Sequence, residues 1–160
     1  MKDRRHRRKL GQNYLIDPVI LFEIERAINP QAQDTFFEIG PGTGALTQSL
    51  IGEEIEIVAI DLDEENIKTL QQHYPHSNHQ FIQGNILHAP LDFLLKKPHR
   101  VVGNLPYNIS TQIILKLIQF TPCIGDIHFL VQKEVAHRVC STHGSKNWGR
   151  LGVKIGAFFQ

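Results

Sequence analysis

The chain has 160 residues, 41% of them hydrophobic and 21% charged, with a formal net charge of +1. That suits one domain with a sizeable core, while the lack of any membrane-length apolar run excludes a spanning segment, and the polar, basic start does not read as a secretory signal. A cytoplasmic location is expected, and two cysteines, Cys123 and Cys140, without a Cys-x-x-Cys pair predict buried thiols rather than a disulfide framework.

The charge is unevenly distributed. The first nine residues carry six basic side chains against one acid, a balance of +5 within a total of +1, so the remainder carries −4. Residues 1–9 read as a basic flexible tail, with Arg4, Arg5, Arg7, Arg8 and Lys9 as candidate contacts to RNA phosphates; a merely solvated terminus is the alternative. Asp17 then offers an N-cap and Pro18 a first helical position, for a helix that ends near Asn29-Pro30. Thr35 to Ile39 reads as a buried strand and runs directly into Gly40-Pro41-Gly42-Thr43-Gly44, with a helix from Ala45. Strand, glycine turn and helix open a nucleotide-binding α/β unit.

Ile55 to Ile60 is a second strand, followed by Asp61, 21 positions past Gly40, where an acid can hold ribose hydroxyls. A helix over Asp63 to Tyr74 and a short strand over His79 to Ile82 lead to Gly84-Asn85, where a side-chain amide would face an adenine. His73, His76 and His79 recur every third residue, but Pro75 breaks their common face, so a solvent-facing cluster and no metal site are expected. Arg100 to Val102 begins a fourth strand, and a helix through Ile113, Ile114, Leu117 and Ile118 ends around Pro122. A fifth strand spans Ile127 to Val131, Lys133 to Cys140 is helical, and Leu151, Ile155, Phe158 and Phe159 mark a last helical stripe. Gln132-Lys133-Glu134 either positions substrate or simply starts its helix. Alternating strands and helices predict a doubly wound, mostly parallel sheet.

The chemistry centres on Asn104-Leu105-Pro106-Tyr107, on the loop that leaves the fourth strand. Asn104 supplies a side-chain carbonyl, Pro106 restricts Leu105 so that its carbonyl can be aimed, and Tyr107 supplies a flat face. Two acceptors beside a ring suit a planar exocyclic amine, whose lone pair becomes available as both N–H bonds are held. A turn with a core leucine and a packing tyrosine is the plainer reading of the same residues. For the cofactor, the turn spacing is Gly-x-Gly-x-Gly rather than Gly-x-Gly-x-x-Gly, and Glu38 stands beside it. A carboxylate there repels a pyrophosphate but can pair with the ammonium of a methionine moiety, which favours S-adenosylmethionine over a nicotinamide dinucleotide. Glu38, Gly40, Gly42, Asp61 and Asn85 are the candidate cofactor residues on this reading.

These segments together resemble the ribosomal RNA adenine N6,N6-dimethyltransferase family. The matching runs are GQNYLIDP at 11–18, FEIGPGTGALT at 37–47, IDLD at 60–63, GNLPYNIS at 103–110, LVQKEVAHR at 130–138 and GRLGV at 149–153. Gly11, Thr43 and Leu105 favour the small-subunit branch over the large-subunit macrolide-resistance branch. The resemblance implies a Rossmann-like class I methyltransferase fold, with Asn13, Leu15, Gly40, Asp61, Asn85 and Asn104 contacting S-adenosylmethionine and the Asn104–Tyr107 motif receiving a flipped adenine. It also implies four methyl transfers to two adjacent adenosines near the 3′ end of small-subunit RNA, on an immature small ribosomal subunit, by a protein expected to be a monomer. Asn85 departs from the family, which usually has Asp there. The family also continues into further strands and a helical C-terminal domain, so residues 10–160 are expected to be an incomplete methyltransferase domain whose fifth strand, with Ile127, Phe129, Leu130 and Val131, is an apolar edge. A non-catalytic RNA-binding assembly factor on the same fold, or a large-subunit adenine methyltransferase, are the alternatives.

Overall fold

The computed structural model describes residues 15–52, 54–75 and 78–159. Arg4, Arg5, Arg7, Arg8, Lys9, Asn13 and His76 lie outside the described residues. The elements in chain order are α1 (Pro18–Ile28), β1 (Thr35–Ile39), α2 (Ala45–Leu50), β2 (Glu56–Asp61), α3 (Glu64–His73), β3 (Gln80–Gln83), β4 (His99–Asn104), α4 (Ser110–Leu117), β5 (Ile124–Leu130), α5 (Lys133–Val139) and α6 (Arg150–Gly156). Single 3-10 segments occur at Asp92–Leu95 and Ile118–Cys123.

The five strands form one parallel sheet in the order β3-β2-β1-β4-β5. The chain therefore builds outward from β1 to β3, crosses over, and restarts at β4 on the other side. That reversal opens a crevice at the carboxyl ends of β1 and β4, the position at which open α/β sheets bind ligands.

Side chains alternate across a strand, so β1 feeds both faces of the sheet. Phe36 joins Ile28, Leu46, Leu50, Ile57 and Val102 on one face. Phe37 and Ile39 join Val101, Leu105, Ile113, Leu117 and Leu151 on the other. Helices on both faces make the doubly wound, three-layer arrangement that the alternating pattern predicts.

The caps follow the sequence closely. Asp17 Oδ1 accepts from the Val19 N–H at 2.9 Å, Pro18 opens α1, and Asn29 closes it in a left-handed conformation at φ 50°. At the amino ends of the strands, the Arg100 guanidinium joins distant elements. It donates to Asp34 at 2.6 Å, to Asp126 at 2.7 Å and to the carbonyl of Ile28, tying the end of α1 and the approach to β1 to β5. This partly buried fork anchors the end of the sheet opposite the crevice.

Several boundaries differ from expectation. β5 begins at Ile124 instead of Ile127, because Asp126 is drawn into the ladder opposite Arg100 and paired with its side chain. α4 ends at Leu117, and Pro122 lies inside the following 3-10 segment. The last helix ends at Gly156, so Phe158 is exposed while Phe159 turns back onto the core. His79 is partly buried rather than solvent-facing, and its Nδ1 accepts from the Ile57 N–H at 3.3 Å. Cys140 is exposed at the end of α5, and Cys123 is only partly buried. Among the described residues β5 is an edge of the sheet, with Ile127, Phe129 and Val131 partly buried against a core to which α5 and α6 contribute Val135, Leu151 and Ile155.

The crevice depends on a close approach of two strand ends. A Cβ on Gly103 would stand 2.5 Å from the Ile39 carbonyl oxygen, a backbone atom that cannot turn aside. Gly103→Ala should therefore destabilise the chain by about 2 kcal/mol, the scale of overpacking in a close-packed interior, read as a lower urea midpoint with an unchanged slope. An unchanged midpoint would mean that the strand ends separate freely.

Candidate functional site

The exits of β1, β2, β3 and β4 bound a cavity of about 280 Å³ lined by residues from each. The candidates Leu15, Glu38, Gly40, Gly42, Asp61, Asn85, Asn104, Leu105, Pro106 and Tyr107 all line it, although they are scattered over more than 90 positions of sequence. Gln132, Lys133 and Glu134 do not line the cavity; Gln132 occupies the N-cap position of α5 and the other two begin the helix.

Asp61 holds the glycine turn in shape. One carboxylate oxygen accepts from the Gly42 N–H at 3.0 Å and from the Asn66 side-chain amide at 3.1 Å, and the other accepts from the Asp63 N–H at 2.8 Å. Gly42 has φ 58° and Gly40 φ 70°, left-handed values that suit glycine, and the Gly40 N–H donates to the Ile60 carbonyl at 2.9 Å. The turn is thereby fastened to β2 at two points. Asp61 is only 6% exposed, and burial raises its pKa against those three bonds. A carboxylate has about four lone-pair directions, so three bonds leave one for a ribose hydroxyl. The sequence reading finds the residue but not its structural work.

Glu38 is 1% exposed and its Oε2 accepts from the Thr47 hydroxyl on α2 at 2.7 Å. Burial pushes its pKa up to about 7; the Thr47 bond opposes the rise and the neighbouring Asp61 carboxylate adds to it. Glu38 is thus poised near neutrality, and an arriving cation would ionise it. Thr47, one turn into an ordinary-looking helix, carries no sequence signal for this role.

Asn85 is committed differently from expectation. Its side-chain oxygen accepts from the Leu87 N–H at 2.9 Å, closing a local turn, while its backbone carbonyl accepts from His88 and Ala89. The side chain shapes the loop that walls the cavity, so its carbonyl is already engaged rather than simply facing outward for an adenine amine. Lys116 on α4 donates to the Ile86 and Ala89 carbonyls at 2.8 and 2.7 Å and pins the same loop. This anchor was invisible in the sequence.

The opposite wall is the loop from Asn104 to Tyr107. The Leu105 N–H donates to the Leu130 carbonyl at the end of β5 at 3.0 Å, and its side chain is buried. The Pro106 carbonyl accepts from Ile109 and Ser110, starting α4. No donor among the described residues takes the Leu105 carbonyl. Tyr107 is 48% exposed, so its ring is open to a flat partner.

The donor set fits S-adenosylmethionine. Two buried acids stand on one side for an ammonium and a ribose, and Leu62, Ile86 and Leu87 give apolar surface for a purine. A Cβ on Gly40 would project to 3.8 Å from the Asn104 carbonyl oxygen, so the missing side chain leaves the passage between β1 and β4 clear. The buried acids disfavour a pyrophosphate.

A parallel sheet of this order, with a glycine turn after β1 and an acid at the end of β2, is the Rossmann-like fold of class I S-adenosylmethionine-dependent methyltransferases. The fold is shared with a dimethyladenosine transferase from Plasmodium falciparum (28% identical, TM-score 0.79, covering 90% of this chain and 52% of that one). It is also shared with the 23S rRNA methyltransferase ErmE (26% identical, TM-score 0.73, covering 88% and 56%). The chain belongs to the ribosomal RNA adenine dimethylase family, which it matches over residues 3–160. It is 46% identical to the ribosomal RNA small subunit methyltransferase A of Legionella pneumophila over 93% of its length, and 41% identical to that of Pseudomonas fluorescens over 94%. It spans 58% and 57% of those two relatives.

The buried Glu38 gives stability a definite pH dependence. Between its ordinary value of 4.5 and about 7 the folded chain holds a proton that the unfolded chain has released, so stability falls as pH rises through that window. The penalty is absent below the window and complete above it, on the order of 3 kcal/mol. Glu38→Gln should flatten this slope, so urea unfolding of the two proteins from pH 4.5 to pH 8 should diverge steadily. Parallel curves would show that Glu38 stays ionised.

Proposed function

We propose that this chain transfers methyl groups from S-adenosylmethionine to N6 of adenines in small-subunit ribosomal RNA. The observation that carries the reading is that one cavity joins the buried Glu38–Asp61 acids to the Asn104–Tyr107 loop. The names of the small-subunit relatives support the substrate class. On this reading the substrate is the pair of adjacent adenosines near the 3′ end of 16S rRNA, each receiving two methyls, within an immature small subunit in the cytoplasm. The protein acts as a monomer, residues 10–160 belong to the methyltransferase domain, and the basic residues of 1–9 contact RNA phosphates. That the relatives at 46% and 41% identity carry small-subunit names supports 16S over 23S rRNA.

The chemistry supplied by S-adenosylmethionine is an electrophilic methyl on a sulfonium. The chain's residues do the rest by orientation. Glu38 and Asp61 hold the cofactor's ammonium and ribose, Leu15, Gly40, Gly42 and, beyond the described residues, Asn13 complete the contact, and Asn85 shapes the loop against which the adenine lies. The Asn104 side-chain oxygen and the Leu105 carbonyl accept the two N–H bonds of the adenine amine, which concentrates its lone pair on nitrogen. Pro106 fixes that carbonyl, and Tyr107 stacks on the base and stabilises positive charge as it develops. No strong base is required, because the alkylated amine loses its proton readily to water.

Two experiments test the two halves of the cavity. Asn104→Ala should lower the rate of methyl transfer by on the order of 3 kcal/mol at saturating cofactor, measured by label incorporation into unmethylated small subunits. Near wild-type turnover would remove the orienting mechanism. Binding of S-adenosylmethionine at pH 7 should release about half a proton from Glu38, seen by calorimetry in buffers of different ionisation enthalpy and lost in Glu38→Gln. Equal proton release by both proteins would detach Glu38 from the ammonium.

A further inference from the structure

The charge of the chain has a second concentration besides its first nine residues. Residues 133–160 hold five basic side chains, Lys133, Arg138, Lys146, Arg150 and Lys154, against the single acid Glu134, a balance of +4, while residues 10–132 hold six against fourteen, a balance of −8. All five cations are exposed, and among the described residues none of them is in an ion pair. Two of them, Arg150 and Lys154, line an open groove on α6 together with Trp148, Val153 and Phe158. Trp148 is 42% and Phe158 50% exposed, so two aromatic faces stand in water beside two cations.

The groove is preformed. Trp148 meets His143 edge to face, with ring centres 4.9 Å apart, and its backbone N–H donates to the Ser145 carbonyl at 3.1 Å. The Ser141 hydroxyl lies within hydrogen-bond distance of the Arg138 carbonyl, at 3.0 Å, and of the Asn147 carbonyl, at 3.2 Å, which folds the intervening loop. A Cβ on Gly152 would stand 2.8 Å from the Arg138 carbonyl, so α6 is seated tightly on the end of α5. α5 itself follows the end of β5, where the Leu130 carbonyl accepts from the Leu105 N–H of the cavity wall.

We propose that the α6 groove is a single-stranded RNA track, on which Trp148 and Phe158 stack bases while Arg150 and Lys154 at the groove, and Lys146 just before it in the chain, contact phosphates. An aromatic platform with a cationic rim is the chemistry of sequence-tolerant single-strand binding. Charge complementarity selects the occupant, because a polyanion is repelled by the body of the domain and attracted here. The track extends the proposed function by assigning RNA contacts on the folded domain itself, and it rests on RNA being the substrate.

Trp148 is the single tryptophan of the chain, so its fluorescence reports on the groove alone. The test is a titration of the full chain with a purine-rich single-stranded RNA of about ten nucleotides, within the span of single-strand sites, following both tryptophan emission and the anisotropy of labelled RNA. Emission should be quenched along the same curve as anisotropy. Lys146→Gln and Lys154→Gln, on exposed side chains, should each lower the salt slope of binding by about 0.7. Trp148→Ala should weaken binding by about tenfold, and Trp148→Phe should retain most of it. RNA binding with unchanged emission and unchanged slopes would overturn the track and move the contacts elsewhere, leaving the groove as a protein contact. A chain that binds S-adenosylmethionine by calorimetry but no RNA would also overturn the track, while leaving the cofactor reading intact.

Discussion

The buried carboxylate of Asp61 is the constraint on which the cavity depends. It accepts three hydrogen bonds, from the turn after β1, from its own strand exit and from the first turns of α3. Each of those segments would otherwise end in unsatisfied backbone or amide donors close to the core, and a buried donor without a partner costs more than a formed bond gains. Charge-assisted bonds are the stronger kind, which suits a group asked to hold three pieces of chain at once. The consequence is a crevice shaped before any ligand arrives, with Glu38 beside it held by Thr47.

A second consequence concerns the division of labour across the sheet. The face that carries Phe36 and Glu38 is closed by α1 and α2, and its acids lie at the cofactor side. The opposite face, built on Phe37, Leu105 and Ile113, supports the Asn104–Tyr107 loop and leads through β5 to α5 and α6. Buried acids are gathered at the cavity, and the excess of basic side chains lies on the last two helices and the loop between them. Arg100 closes the far end of the sheet with a fork of ion pairs that touches neither function.

Much of this was legible in the sequence because the signals were local. A strand running into Gly40-Pro41-Gly42 needs positive φ and so announces a turn, and Asp17-Pro18 announces a helix start. Asn104-Leu105-Pro106-Tyr107 could be placed on the cavity wall because a loop that leaves an apolar strand and enters a helix announces itself in neighbouring residues. What escaped was tertiary. The bond from Gly42 to Asp61 crosses 19 positions and that from Lys116 to Ile86 crosses 30, and nothing in either neighbourhood hints at the partner. The start of β5 was missed because Ile124-Gly125-Asp126 lacks strand character, and its place is set by Arg100 on the next strand. The exposed Cys140 and the half-buried His79 follow from where helix α5 ends and where β3 docks, not from residue type. The second basic segment was hidden because averaging residues 10–160 cancels its charge against the acidic body.

The central claim is that the carboxyl-edge cavity methylates an adenine amine. Its most direct test is to incubate the chain with S-adenosylmethionine and small ribosomal subunits lacking the modification, then digest the 16S rRNA and identify the modified nucleosides by mass spectrometry. The account predicts N6-methyl- and N6,N6-dimethyladenosine, at adjacent adenosines near the 3′ end. Methyl groups on another nucleoside, or none from a chain that calorimetry shows to bind the cofactor, would contradict it.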